Sequence, residues 1–197
     1  MMVLPSRPDK YRIILASRSP RRQQLLRELG VEFDVILKDY DESYPEHLNG
    51  EEIASYIASA KARCFRNDIS RDEIVITADT IVWCNNKVLG KPVDDEDAFA
   101  ILSEISGNTH DVITGVTILS SEKEITFTET TKVTFAPLTG EEISYYIRNF
   151  KPFDKAGAYG IQEWIGLVAC NRIEGSYFNV VGLPIHRLYK ELIEFVK

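Results

Sequence analysis

Seven side chains in this sequence could act together on one ligand. The basic ones are Arg21, Arg22, Lys61, Lys91 and Lys155, and the carboxylates are Glu42 and Asp79. Several fixed cations with a few acids suit a polyphosphate accompanied by a divalent cation. Such a cation neutralises phosphate oxygens and lowers the pKa of a bound water, while an acid holds the metal or takes the proton. Arg and Lys steady the charge that builds on bridging and terminal oxygens. This set of residues does not say which phosphorus would be attacked.

The stretch Ser17-Arg18-Ser19-Pro20-Arg21-Arg22 is the centre of the argument. An apolar run at 11–16 precedes it, and a segment with Leu residues at helical spacing follows it and stops at Gly30. That reads as buried strand, tight turn and helix. Ser19 suits the N-cap, and Pro20 suits the first helical position because its missing N–H would have had no partner there. Arg21 and Arg22 are the anomaly, since a helix start carries partial positive charge and favours acids. An anion held by free N–H groups and forked guanidinium donors would account for them. The other reading is a solvated first turn with both arginines pointing outward.

Three more positions break their local pattern. Residues 73–83 are the longest strand signal, apolar on both faces, and therefore central. Asp79 interrupts that run, where an uncompensated carboxylate is costly; it must meet a cation, a turn or a metal. Lys61 falls on the apolar row Ile53, Ile57, Lys61, Phe65 of a helix at 51–65, so its ammonium either snorkels to water or aims at an anion in a cleft. Glu42 lies in the polar loop 38–49, as a ligand for a hard cation or as a solvated acid. Pro92 biases Lys91 toward an extended backbone, which presents that lysine from a fixed position.

With 197 residues the chain is long enough for a sizeable core in one domain or two small lobes. No run approaches the roughly 20 apolar residues of a membrane helix, and the first ten residues are too polar for a signal peptide. Cys64, Cys84 and Cys170 are odd in number and far apart, which points to a reducing, cytoplasmic setting. A net charge of −7 argues against binding nucleic acid non-specifically, so any anion site must be a local positive pocket. His47, His110 and His186 lack ligand spacing, and no Gly-x-Ser-x-Gly occurs, which disfavours hydrolytic zinc and serine-triad chemistry.

The remaining elements follow from turns and caps. Residues 33–37 read as a second short strand. Asn85-Asn86 reads as a hairpin turn with 87–89 returning. Asp94 caps a helix to Ile105. Residues 110–119 and 124–135 form a long hairpin. Thr139 and Glu142 form a capping box for a helix to Asn149. Residues 153–162 are rich in small residues that let a backbone approach a ligand, though they match no generic glycine-loop motif. Residues 167–173 and 177–181 read as two further strands, and Pro184 opens a last helix to Phe195.

The whole pattern resembles the Maf proteins, nucleoside triphosphate pyrophosphatases once described as septum-formation inhibitors. The motifs are Leu-Ala-Ser-Arg-Ser-Pro-Arg-Arg (15–22), Ala-Asp-Thr (78–80), Gly-Lys-Pro (90–92), Asp-Lys-Ala-Gly-Ala-Tyr-Gly-Ile-Gln (154–162) and Val-Gly-Leu-Pro (181–184). The resemblance covers residues 14–192. It implies an α/β fold (Maf/ITPase-like), an elongated mixed β-sheet with flanking helices and two lobes around a central cleft. Residues 1–197 would form a single Maf-like domain, with 1–10 a flexible N-terminal extension. It implies hydrolysis of a nucleoside triphosphate to monophosphate and pyrophosphate, with Mg2+ or Mn2+. On this resemblance Asp79 is the proton acceptor that activates water against the α-phosphorus. Ser17, Arg21, Arg22, Lys61 and Lys91 match phosphate-binding positions, and Glu42 with Asp79 matches the metal side. Arg21, Thr80 and Gln162 fall where the branch preferring dTTP and UTP differs from the one preferring 7-methyl-GTP, and the chain looks like the pyrimidine branch at all three.

The leading expectation is a cytoplasmic dTTP/UTP pyrophosphatase, with modified pyrimidine triphosphates as further substrates. The competing one is a non-catalytic nucleotide-binding regulator of cell division. A buried Asp79 beside phosphates would be an electrostatic liability for a pure binder. The candidate partners are a nucleoside triphosphate and a second copy of the chain; neither nucleic acid nor membrane is expected.

Overall fold

The computed structural model describes residues 11–197, and the expected extension at 1–10 lies outside them. The chain opens with β1 (Arg12–Leu15), whose apolar residues are buried, and turns through Ser17 into α1 (Pro20–Glu28). Ser19 caps α1 as expected, its side chain accepting from the Arg22 amide, and Leu25 and Leu26 fill the buried face. The second strand shrinks to β2 (Asp34–Val35), with both side chains exposed. Next come α2 (Gly50–Arg63) and the long β3 (Glu73–Cys84). The run Ile74, Val75, Ile76, Thr77, Ala78 is wholly buried, as an apolar stretch covered on both faces must be.

Asn85 and Asn86 adopt φ of 50° and 61°, the left-handed pair of a tight hairpin, and return the chain as β4 (Lys87–Leu89). Asp94 caps α3 (Asp95–Ile105) by accepting from Asp97 N, and β5 (Thr109–Leu119) and β6 (Glu124–Phe135) follow. The Thr117–Thr126 and Thr109–Thr134 hydroxyl pairs, each at 2.8 Å, give β5 and β6 one antiparallel register. Thr139 and Glu142 form the expected capping box at α4 (Gly140–Phe150).

Two expected strands are corrected. Residues 164–169 form the short helix α5 (Trp164–Ala169), so that only β7 (Cys170–Glu174) of the first survives, and the second is α6 (Tyr177–Val181). Leu167 and Val168 are apolar but 84% and 44% exposed, so burial does not recruit them to a sheet. At α6 the buried Asn179 decides. Its amide NH2 donates to Val112 O and Thr131 Oγ1, both at 3.0 Å, while Ser176 Oγ accepts from its backbone N–H. The last helix is α7 (Ile185–Phe195), with Leu188, Leu192 and Phe195 buried as read from the sequence.

Among the described residues the sheet has seven strands, in the order β2-β1-β3-β5-β6-β7 with β4 paired to β3. β1 is parallel to both β2 and β3, and β4 and β7 are antiparallel to their partners, so the sheet is mixed. Two compact units divide the chain. The first takes it up to Asp79, then Thr114–Glu129 and Gly182–Lys197; the second holds Thr80–Ile113 and Thr130–Val181. The second unit has its own core, in which Val82, Leu102, Ile105, Phe135, Tyr146 and Ile165 are among the buried residues. In the first, Ile14, Ala62, Phe65, Val75 and Leu119 pack together.

Within the first unit α2 lies against backbone. Thr77 Oγ1 donates to Ala58 O at 2.6 Å, and a Cβ added at Gly115 would stand 2.2 Å from Ala54 O. Gly115→Ala therefore forces α2 away and is expected to lower stability by at least about 1–3 kcal/mol, the usual cost of overpacking, measured by urea unfolding. In the second unit His110 is 2% exposed and its Nε2 shares a hydrogen bond of 2.8 Å with Tyr159 OH. Burial holds its imidazole down at about 4, against 6.5 for a free one. The unfolded chain then binds the proton more readily, so stability is full above pH 6.5 and falls as pH drops from 6.5 towards 4. The total is about 3 kcal/mol. His110→Gln should flatten that limb of the stability–pH curve.

Candidate active site

Asp79 follows the buried run Ile74 to Ala78 in the middle of β3, and its side chain is 19% exposed. Lys61 comes from the last turn of α2, with its side chain 11% exposed. Its ammonium does not snorkel to water. Nζ donates to Asp79 Oδ1 at 2.6 Å and to Ala78 O at 3.3 Å. The out-of-pattern lysine and the out-of-pattern aspartate are thus each other's partners. Burial lowers the Lys61 pKa, and the negative charge of Asp79 works against that lowering. The pair is an acid and a base held together with little water around them.

Arg22 reaches back from the first turn of α1 to the same place. Nη1 donates to Ala78 O and Nε to Gly182 O, each at 2.7 Å. It is half-buried, not the outward-pointing side chain of the alternative reading. Gly182 has φ of 127°, a conformation that glycine adopts without strain, and so can turn its carbonyl to this guanidinium. Burial lowers the Arg22 pKa, Asp79 opposes this, and Arg21 adds repulsion. Two guanidiniums, an ammonium and a carboxylate therefore share one electrostatic neighbourhood. Ser17 is buried, and its hydroxyl accepts from the Ser19 amide at 3.2 Å, which shapes the turn that delivers both arginines.

Glu42 extends the cluster from the loop after β2. Its Oε1 accepts from Tyr40 OH at 2.5 Å, and the Tyr40 ring lies under Lys61 Nζ, 4.7 Å from its centroid. Burial, then the Glu42 hydrogen bond, holds the Tyr40 phenol well above its ordinary range. Sequence reasoning missed Tyr40. The one available signal was an aromatic two residues before the singled-out acid.

Asp79 and Glu42 are the carboxylates that could hold a metal here. Among the described residues no group of three or more His, Cys, Asp or Glu gathers into a metal cage. Two carboxylates suit Mg2+ or Mn2+, which keep waters and take further oxygens from phosphate. The residues present fit such an ion.

The other expected positions lie in the second unit. Thr80 follows Asp79 on β3 and is half-buried, while Lys91 and Gln162 are exposed on their loops. Gly90 O accepts from Gly157 N at 3.0 Å, joining the loop of Lys91 to the one leading to Gln162. A Cβ at Gly157 would meet Val82 Cγ2 at 2.7 Å, so that approach needs glycine. Lys155 is not an anion group. It is 8% exposed and its Nζ binds Asp154 at 2.7 Å and Glu163 at 3.1 Å. Tyr146 OH donates to Glu163 and accepts from Gly160 N, so this lysine clamps the glycine-rich loop.

A curated protein from Phocaeicola vulgatus named dTTP/UTP pyrophosphatase is 54% identical over 185 residues, 93% of this chain and 96% of its own. One of the same name from Flavobacterium johnsoniae is 48% identical over 194 residues, 98% of this chain and 100% of its own. A solved structure of a dITP/XTP pyrophosphatase from Mycobacterium abscessus overlaps 94% of each chain at 13% identity and a TM-score of 0.43. The sequence model of the family described as Maf-like protein matches residues 12–195. Matched over nearly its whole length, the chain belongs to the Maf-like protein family.

Proposed function

We propose that this chain is a dTTP/UTP pyrophosphatase that hydrolyses a pyrimidine nucleoside triphosphate to the monophosphate and pyrophosphate. The observation that carries the reading is the Lys61–Asp79 pair at 2.6 Å beside Arg22. A carboxylate able to take a proton there adjoins cations able to bind phosphate. Asp79 accepts a proton from water as the water oxygen bonds to the α-phosphorus and the bond to the bridging oxygen breaks. Pyrophosphate leaves with that electron pair. Lys61, Arg21 and Arg22 meet the phosphate charge, and Ser17 holds the turn that aims the arginines; the family resemblance assigns Lys91 to phosphate as well. An incoming phosphate competes with Asp79 for Lys61, which frees the carboxylate to act as base. Asp79 and Glu42 would hold Mg2+ or Mn2+, which neutralises phosphate oxygens when bound. The family resemblance assigns pyrimidine selection to Arg21, Thr80 and Gln162. Three free thiols fit a reducing, cytoplasmic setting, and among the described residues no helix is long and apolar enough to cross a membrane.

The test is product analysis over canonical and modified triphosphates, with and without divalent cation. Pyrophosphate in stoichiometry with the monophosphate is expected from dTTP and UTP. Diphosphate plus orthophosphate would mean attack at the γ-phosphorus. Asp79→Asn should lower kcat about 10²- to 10⁴-fold with nucleotide binding retained, the range for losing a general base. If the wild type has no turnover and Asp79→Asn only binds more tightly, the chain is a nucleotide-binding regulator. Lys61→Met should lower kcat on the order of 10²-fold and raise KM for dTTP, measured by steady-state pyrophosphate release.

A further inference from the structure

The loop that carries Glu42 is pinned on both sides of Tyr40. Before it, Lys38 Nζ donates to Cys64 O at 2.9 Å, lies 4.8 Å from the centroid of the Phe65 ring and pairs with Asp68. After it, Asp41 accepts from Ser43 N at 2.9 Å and from Ser43 Oγ at 2.7 Å, closing an Asx turn. Between the Lys38 bond to the residue that caps α2 and the local Asx turn sits the ring of Tyr40. It faces an ammonium that is 11% exposed, and a cation on an aromatic face gains most when water is absent.

Lysine is a point charge on a flexible stem with three rotatable donors, and nothing in its own chemistry localises it. In the structure Asp79 does so. During the proposed reaction Asp79 must release the ammonium to take a proton, and the ammonium must stay in place to meet phosphate. Ala78 O at 3.3 Å and the Tyr40 ring at 4.7 Å are holds that do not compete for the carboxylate, and the ring is the one that comes from a separate loop. We infer that Tyr40 is a positioning residue: its ring keeps Lys61 at the phosphate site when Asp79 lets go, and its hydroxyl bond to Glu42 ties the loop acid to the same point. This rests on the pyrophosphatase reading, which places phosphate at Lys61.

The experiment is calorimetric binding of inorganic pyrophosphate to the full chain in metal-free buffer containing a chelator. Tyr40→Leu should raise Kd roughly 2- to 30-fold, the span of a cation–π contact. Tyr40→Phe, which restores the ring without the hydroxyl, should return Kd to within about 2-fold of wild type. In a Lys61→Met background Tyr40→Leu should add nothing, because the ring then has no cation to hold. An equal loss in both backgrounds, or a Tyr40→Phe defect as large as that of Tyr40→Leu, overturns the inference. Should Tyr40→Leu fail to fold, judged by thermal unfolding, Tyr40→Phe with and without Lys61→Met makes the second comparison. Wild-type pyrophosphate release from dTTP is measured alongside. Its absence would sink the pyrophosphatase reading, whereas normal release with no Tyr40–Lys61 coupling would sink this inference alone.

Discussion

One ion pair sets the terms for everything around it. Lys61 and Asp79 each stand in an apolar pattern that would reject them singly, and each is tolerated because the other is 2.6 Å away. Removing a charge from water costs several kcal/mol, and only close pairing with further hydrogen bonds offsets it. Here the further bonds come from main chain: Ala78 O accepts from both Lys61 and Arg22. The fold must hold α2 and the middle of β3 to within hydrogen-bond tolerance, and the backbone contact at Gly115 with the Thr77–Ala58 bond does that. A pair so held is a poor device for stability. It becomes useful when a ligand can take over one half of it.

The two anomalies of the helix start have separate resolutions. Arg22 is satisfied by carbonyls from two other segments, so its charge at the N-terminus of α1 is balanced by oriented backbone dipoles and by Asp79. Two of its donors thus go to main-chain oxygens. That differs from Lys155, whose two carboxylate partners leave it a structural clamp. The same residue type does opposite jobs because of what its loop places beside it.

What could be read from the sequence was what is local. Ser19, Asp94 and the Thr139–Glu142 box act within four residues, and Asn85-Asn86 sets its own turn, so composition was enough to place them. Asp79 and Lys61 were visible as violations of periodicity, which marks a position without naming its partner. The failures were tertiary. Leu167 and Val168 look like strand residues, yet no sheet buries them, and a short apolar run does not distinguish helix from strand. β2 lost most of its expected length at the sheet edge, where one neighbour alone holds it. Tyr40 was silent because a ring under an ammonium leaves no trace in spacing.

The carbonyl of Gly182 has an effect on the timing of assembly. Arg22 needs that acceptor, and 160 residues of chain separate the two. A ribosome that has made the first half of the protein has already emitted the arginine turn, Lys61 and Asp79, but not the oxygen that braces Arg22. The guanidinium is therefore the last of these groups to gain its full set of main-chain acceptors as the chain is made.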